Sequence, residues 1–129
     1  MNKCWFDYKT VIVTGASSGI GKLVTEKLIK EHGCTVIGVA RTESKLVSFK
    51  EELGNFSHFF SYRAFDVSDK EKWNELAESL EKEGRQVDIL INNAGILPKF
   101  DRFEHYSLEE IDKAMQINFY SVVYSMKAF

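Results

Sequence analysis

The sequence predicts an α/β fold in which helices cover both faces of a parallel sheet. Three observations carry that expectation. Strand-like and helix-like segments alternate along the chain, the strand segments are nearly continuous apolar runs, and a glycine-rich turn joins the first strand to the first helix. Alternation implies β-α-β units with right-handed crossovers. Unbroken apolar runs such as Val11-Ile12-Val13 and Ile89-Leu90-Ile91 imply strands buried on both faces.

Strands are expected at residues 10–13, 35–40, 59–65 and 88–91, each rich in Val, Ile or aromatics and bounded by glycine or polar residues. After the first strand, Ile20, Leu23, Val24 and Leu28 read as one apolar helix face, closed by Gly33. Leu46, Phe49 and Leu53 give a weaker face before Gly54. Trp73, Leu76, Ala77 and Leu80 follow helical spacing up to Gly84, with Ser68-x-x-Glu71 as a capping box. A second box, Ser107-x-x-Glu110, opens a helix expected to run to Phe129. Residues 117–129 are apolar on most sides, which calls for burial on all sides. The expectation is one doubly wound domain over 1–129, truncated after its fourth strand and the helix that follows.

Composition narrows the function classes. A chain of 129 residues, 44% hydrophobic and 28% charged, suits one globular domain. A net charge of −2 gives no electrostatic reason to expect nucleic acid or an anionic membrane as partner. No apolar run is long enough to span a bilayer, and residues 1–10 do not read as a secretory signal. Cys4 and Cys34 lie thirty residues apart, and His32, His58 and His105 are scattered, so no metal-ligand cluster is expected. Two reduced thiols point to a cytoplasmic protein.

The glycine turn, Thr14 to Gly21, reads T-G-A-S-S-G-I-G. Gly15 lets the chain leave the strand sharply, Gly19 removes a side chain where a phosphate would meet backbone, and Gly21 lets the helix pack on the sheet. Free N–H groups at the helix N-terminus favour an anion, and Ser17 and Ser18 add hydroxyls. A ligand-free turn is the bland alternative, but the β-α-β setting favours a dinucleotide. A nucleotide triphosphatase loop is excluded, because Ala16 and Leu23 stand where that motif needs glycine and a hydroxyl. About twenty residues beyond Gly21, where a dinucleotide site reads its ribose, stand Arg41 and Thr42. A guanidinium there grips a 2′-phosphate, which favours NADP(H) over NAD(H).

With these residues the chain resembles the short-chain dehydrogenase/reductase family. Thr14, Gly15, Gly19 and Gly21 match its T-G-x-x-x-G-x-G, Asp66-Val67 its adenine-reading pair, and Asn92-Asn93-Ala94-Gly95 its N-N-A-G. Asn118 matches the asparagine that bends the long helix and holds a water in the family's proton relay. The resemblance implies a Rossmann-type fold and cofactor contacts from Gly15, Ser17, Ser18, Gly19, Ile20, Gly21, Arg41, Thr42, Asp66, Val67, Asn92, Ala94 and Gly95, with Asn118 as the catalytic residue present. It covers the family's first half: no tyrosine here has a lysine four residues later, so the Y-x-x-x-K pair is absent and the chain is expected to be inactive alone. The implied activity is NADP(H)-dependent hydride transfer on a small-molecule carbonyl or alcohol, in a homo-oligomer. The alternative is a non-catalytic NADP-binding or interaction module.

Overall fold

The computed structural model describes residues 3–129. Its elements are β1 (Thr10–Thr14), α1 (Gly19–His32), β2 (Thr35–Ala40), α2 (Glu43–Glu52), β3 (Phe60–Ala64), α3 (Lys70–Lys82), β4 (Ile89–Ile91), α4 (Leu108–Met115) and α5 (Ser121–Ala128). Short 3₁₀ turns occupy Gly54–Phe59 and Phe103–His105, and a π turn, Gln116–Tyr120, joins α4 to α5. The strands are all parallel in the order β3-β2-β1-β4. Chain order reverses at β1, whose neighbours β2 and β4 are reached by crossovers on opposite faces.

Alternation along β1 builds a core on each face. Val11 and Val13 join Ile29 of α1, Leu46 and Phe49 of α2 and Phe60. Ile12 points the other way, with Ile37, Val39, Trp73, Leu76, Leu80 and Ile117. Trp73 is fully buried, and its indole N–H donates to the Val67 carbonyl at 2.9 Å, so its burial leaves no polar atom unpaired. Strand bounds differ from expectation by one residue at four of the eight ends, where pairing rather than composition decides where a strand stops.

Three sequence expectations are corrected. In α1, Ile20 is 74% and Leu23 54% exposed, and the buried stripe is Gly21, Thr25 and Ile29. Gly21 lies so close to the Gly15 carbonyl and the Asn93 side chain that only a glycine fits there, and this contact turns the predicted face outward. Thr25 can be buried because its hydroxyl donates to the Gly21 carbonyl at 2.8 Å. The N-cap of α3 is Asp69, which accepts from Glu71 and Lys72 N–H groups, and Ser68 instead donates to Asp66. The expected Ser68 box therefore does not form, whereas the Ser107–Glu110 box does, with both reciprocal bonds. Finally, the last helix is not buried all round. Its buried positions are Ile117, Ser121 and Ser125, while Phe119 and Met126 are 52% and 66% exposed.

Candidate cofactor-binding site

The carboxyl ends of the strands open onto one crevice, at the switch point where the chain order reverses. It is lined by Gly15, Ser17 and Ser18 from the glycine turn, Val39 to Thr42 and Lys45 after β2, Phe65 to Val67 after β3, Asn93 to Ile96 after β4, and Ile117. One pocket thus gathers Gly15, Ser17, Ser18, Arg41, Thr42, Asp66, Val67, Ala94 and Gly95, nine of the expected cofactor residues.

Each glycine of the turn has its own reason. Gly15 has φ +68°, and its N–H donates to Val39 at 2.8 Å across the turn. A Cβ on Gly21 would lie 2.2 Å from the Gly15 carbonyl oxygen, so Gly21 is a packing residue and not a crevice residue. Gly19 has φ +53°, and a Cβ there would meet no protein atom within 4 Å. That open side is where a ligand can approach the backbone. Ser18 caps α1 in extended conformation without a side-chain bond, and the first turn of α1 holds no acid. Its free N–H groups and the positive end of its dipole therefore remain available to an anion.

Thr14 closes the floor. Its hydroxyl oxygen accepts the Asn93 and Ala94 N–H groups at 3.0 and 2.9 Å, and its carbonyl accepts the Asn93 side chain at 3.1 Å. Asn93 is thus the crevice asparagine. Asn92, expected to contact cofactor, turns away, and its Oδ1 accepts the Ser125 hydroxyl at 2.9 Å. Both residues lie just beyond the end of β4, where the Asn93 side chain is drawn to the Thr14 carbonyl and that of Asn92 to Ser125 of α5. The Ile20 side chain stands outside the crevice, and what this residue can offer an anion is its backbone N–H in the first turn of α1. Sequence reasoning missed Lys45, which stands one helical turn beyond Arg41 and Thr42; that spacing was the available signal.

Asp66 lies across the crevice from Arg41. Its Oδ1 accepts the Ser68 N–H at 2.9 Å and hydroxyl at 2.7 Å. Partial burial pushes the carboxyl up, but these donors, with the positive charges of Arg41 and Lys113, outweigh it and hold the group below its ordinary range. Asn118 sits in the π turn, and its amide pairs with both backbone groups of Ile96, accepting at 2.7 Å and donating at 2.8 Å. The helix widens at the expected residue, but its side chain holds the loop after β4 and does not line the crevice.

The fold brings together three ligand-capable side chains that the sequence leaves scattered. Cys4, Asp7 and His32 converge at the opposite end of α1, with ligand atoms within 4.8 Å of one another. No helix among the described residues is long and apolar enough to cross a membrane.

Residues 9–129 match the family described as short chain dehydrogenase. The chain is 32% identical over 120 residues to a benzil reductase ((S)-benzoin forming) of Saccharomyces cerevisiae, covering 89% of this chain and 45% of that protein. It is 32% identical over 121 residues to an NADPH-dependent pterin aldehyde reductase of Arabidopsis thaliana, covering 94% and 49%. Its fold is similar to that of an alcohol dehydrogenase from the archaeon Thermococcus sibiricus complexed with 5-hydroxy-NADP, at a TM-score of 0.84 and 31% identity over 94% of this chain and 51% of that one. The chain spans about half the length of the curated relatives it matches.

Proposed function

The chain belongs to the short-chain dehydrogenase family, and from that premise we propose that it forms the NADP(H)-binding half of an oxidoreductase acting on a small-molecule carbonyl or alcohol. The residues fit a dinucleotide. The α1 N-terminus has neither a side-chain cap nor a first-turn acid, and the space beside Gly19 is open for a pyrophosphate.

The observation that carries the cofactor preference is the wall after β2, where Arg41, Thr42 and Lys45 stand together on the crevice. A carboxylate there would hold a free 2′-hydroxyl and repel a 2′-phosphate. Two cations and a hydroxyl do the reverse, and the guanidinium can also stack on adenine. In this reading Ser17 and Ser18 donate to the pyrophosphate, and ionised Asp66 accepts from the adenine with Val67 beside it. Ala94 and Gly95 lie against the adenosine ribose. Asn118 acts as a positioning residue, keeping the loop after β4 in place through Ile96. When bound, the cofactor supplies or accepts a hydride. Support also comes from the NADPH dependence of the Arabidopsis thaliana relative and from the NADP analogue held by the Thermococcus sibiricus neighbour.

Calorimetric titration of the chain with NADPH and with NADH tests the reading. NADPH is expected to bind more tightly; equal affinities would remove Arg41 from the role, and no binding of either would remove the site.

A further inference from the structure

We propose that Cys4, Asp7 and His32 form a binding site for a borderline divalent cation of the zinc class, pinning the N-terminal segment to the end of α1. The three side chains are 25 or more residues apart at their extremes, yet their ligand atoms lie within 4.8 Å of one another, and each residue is only partly exposed. Thiolate, carboxylate and imidazole are the donors that zinc takes. One thiolate and one carboxylate also balance a dication's charge.

The ligands are held by the fold and not merely near one another. Asp7 N–H donates to the Cys4 carbonyl at 3.1 Å, closing a turn, and Cys4 N–H donates to Asp7 Oδ2 at 2.8 Å. That turn fixes two donors on one side of the segment. His32 is the last residue of α1. Its carbonyl accepts Tyr8 N–H at 2.9 Å, and its ring lies against Phe6, with centroids 4.6 Å apart. Asp7 and His32 are already paired at 2.8 Å. Tetrahedral bonds of about 2.0–2.3 Å set neighbouring donors about 3.3–3.8 Å apart. A cation therefore requires this pair to open by about half an ångström, and any pair now as much as 4.8 Å apart to close by about an ångström.

The neighbourhood explains what such a cation would do. Among the described residues Tyr8 is the non-glycine one with positive φ, +63°, and its ring sits where a Cβ on Gly33 would come within 2.8 Å. A strained residue persists only where its surroundings over-determine it. A metal joining residues 4 and 7 to residue 32 adds a constraint at that point.

The test uses the full chain with thiols reduced and bound metal removed by a chelator. Co²⁺ is expected to give a one-to-one near-ultraviolet thiolate charge-transfer band, which one equivalent of Zn²⁺ abolishes. Zn²⁺ should also raise the thermal unfolding midpoint, and do so less as pH falls and protons compete for the ligands. Cys4→Ser should lose the band. Asp7→Asn and His32→Gln should weaken Co²⁺ by more than the roughly 10–100-fold typical of losing an outer-sphere partner. Cys34→Ala, which removes the other thiol, should keep the band. Circular dichroism of each variant checks that the fold is retained, and Asp7→Asn preserves side-chain shape if Cys4→Ser unfolds. Absence of a band in the parent, or a band that survives Cys4→Ser, overturns the site.

Discussion

At the scale of single residues, the crevice separates groups that touch a ligand from groups that shape it. In the proposed reading Arg41, which lines the crevice, belongs to the first kind. A charge-assisted hydrogen bond contributes about 1.5–3 kcal/mol, so Arg41→Asp should cost NADPH about ten- to a hundredfold in affinity and invert the preference for it over NADH. Calorimetry of parent and variant with both cofactors measures this. Gly21 belongs to the second kind. A Cβ there would lie 2.2 Å from the Gly15 carbonyl oxygen, so Gly21→Ala should cost about 1–3 kcal/mol or more. Gly19→Ala meets no protein atom and carries only the left-handed backbone penalty, about 1–2 kcal/mol. Urea unfolding of the two variants should rank Gly21→Ala as the less stable, while Gly19→Ala shows the larger loss of NADPH affinity relative to its stability change. Asp66 supplies a pH dependence. Its folded value lies below the ordinary one, so its stabilisation is complete above about pH 4 and is lost as pH falls through the lower folded value. Asp66→Asn should therefore flatten the acid side of the stability profile, read as unfolding midpoint against pH.

Among the elements, the helix after β4 is the most informative. It starts as the sequence says, at the Ser107–Glu110 box, and Ser107→Ala should cost about 1 kcal/mol in chemical unfolding. It then widens into the π turn at Gln116–Tyr120, a local geometry found often at functional sites. Asn118 uses that widening to reach both backbone groups of Ile96. Asn118→Ala removes both bonds, so hydrogen exchange at the Ile96 amide should accelerate while exchange in β1 and β2 stays near that of the parent. Unchanged exchange at Ile96 would show that the loop is held by something else. The capping boxes were readable because caps are local stereochemistry. The Ser68 box failed because Asp69, one residue later, offered a carboxylate to the same N–H groups and Asp66 engaged Ser68.

At the scale of the whole molecule, the sheet of the described residues has two edges, β3 and β4, and β4 is paired there with β1 alone. Beside β4 the last helix exposes Phe119 and Met126, with Met115 and Phe129 half-exposed. Each such side chain gains about 1.5–3 kcal/mol when buried, and a strand edge can pair with another chain. The chain is therefore expected to self-associate. Size-exclusion chromatography with light scattering measures this. A monomer that persists at high concentration would show that these surfaces do not drive association, while Phe119→Ser and Met126→Ser together should shift an associating chain toward monomer.

The sequence alone determined the order of strands and helices, the parallel sheet, the place of the glycine turn and most of the crevice residues. These are set by signals within a few residues of one another: apolar periodicity, glycine's freedom at positive φ, and the requirement that a phosphate-binding turn lie between strand and helix. Tertiary structure decided which side of an element faces what. The first helix turned Ile20 and Leu23 outward because only a glycine, Gly21, could approach the Gly15 carbonyl. Asn93 took the crevice and Asn92 the helix because Thr14 and Ser125, distant in sequence, offer them partners on opposite sides of the chain as it leaves β4. Cys4, Asp7 and His32 met because the chain returns across α1 to the start of β1, a convergence that spacing along the sequence does not encode. Contacts between residues far apart in the chain depend on how the layers pack, and that is fixed only when all the buried surfaces are satisfied together.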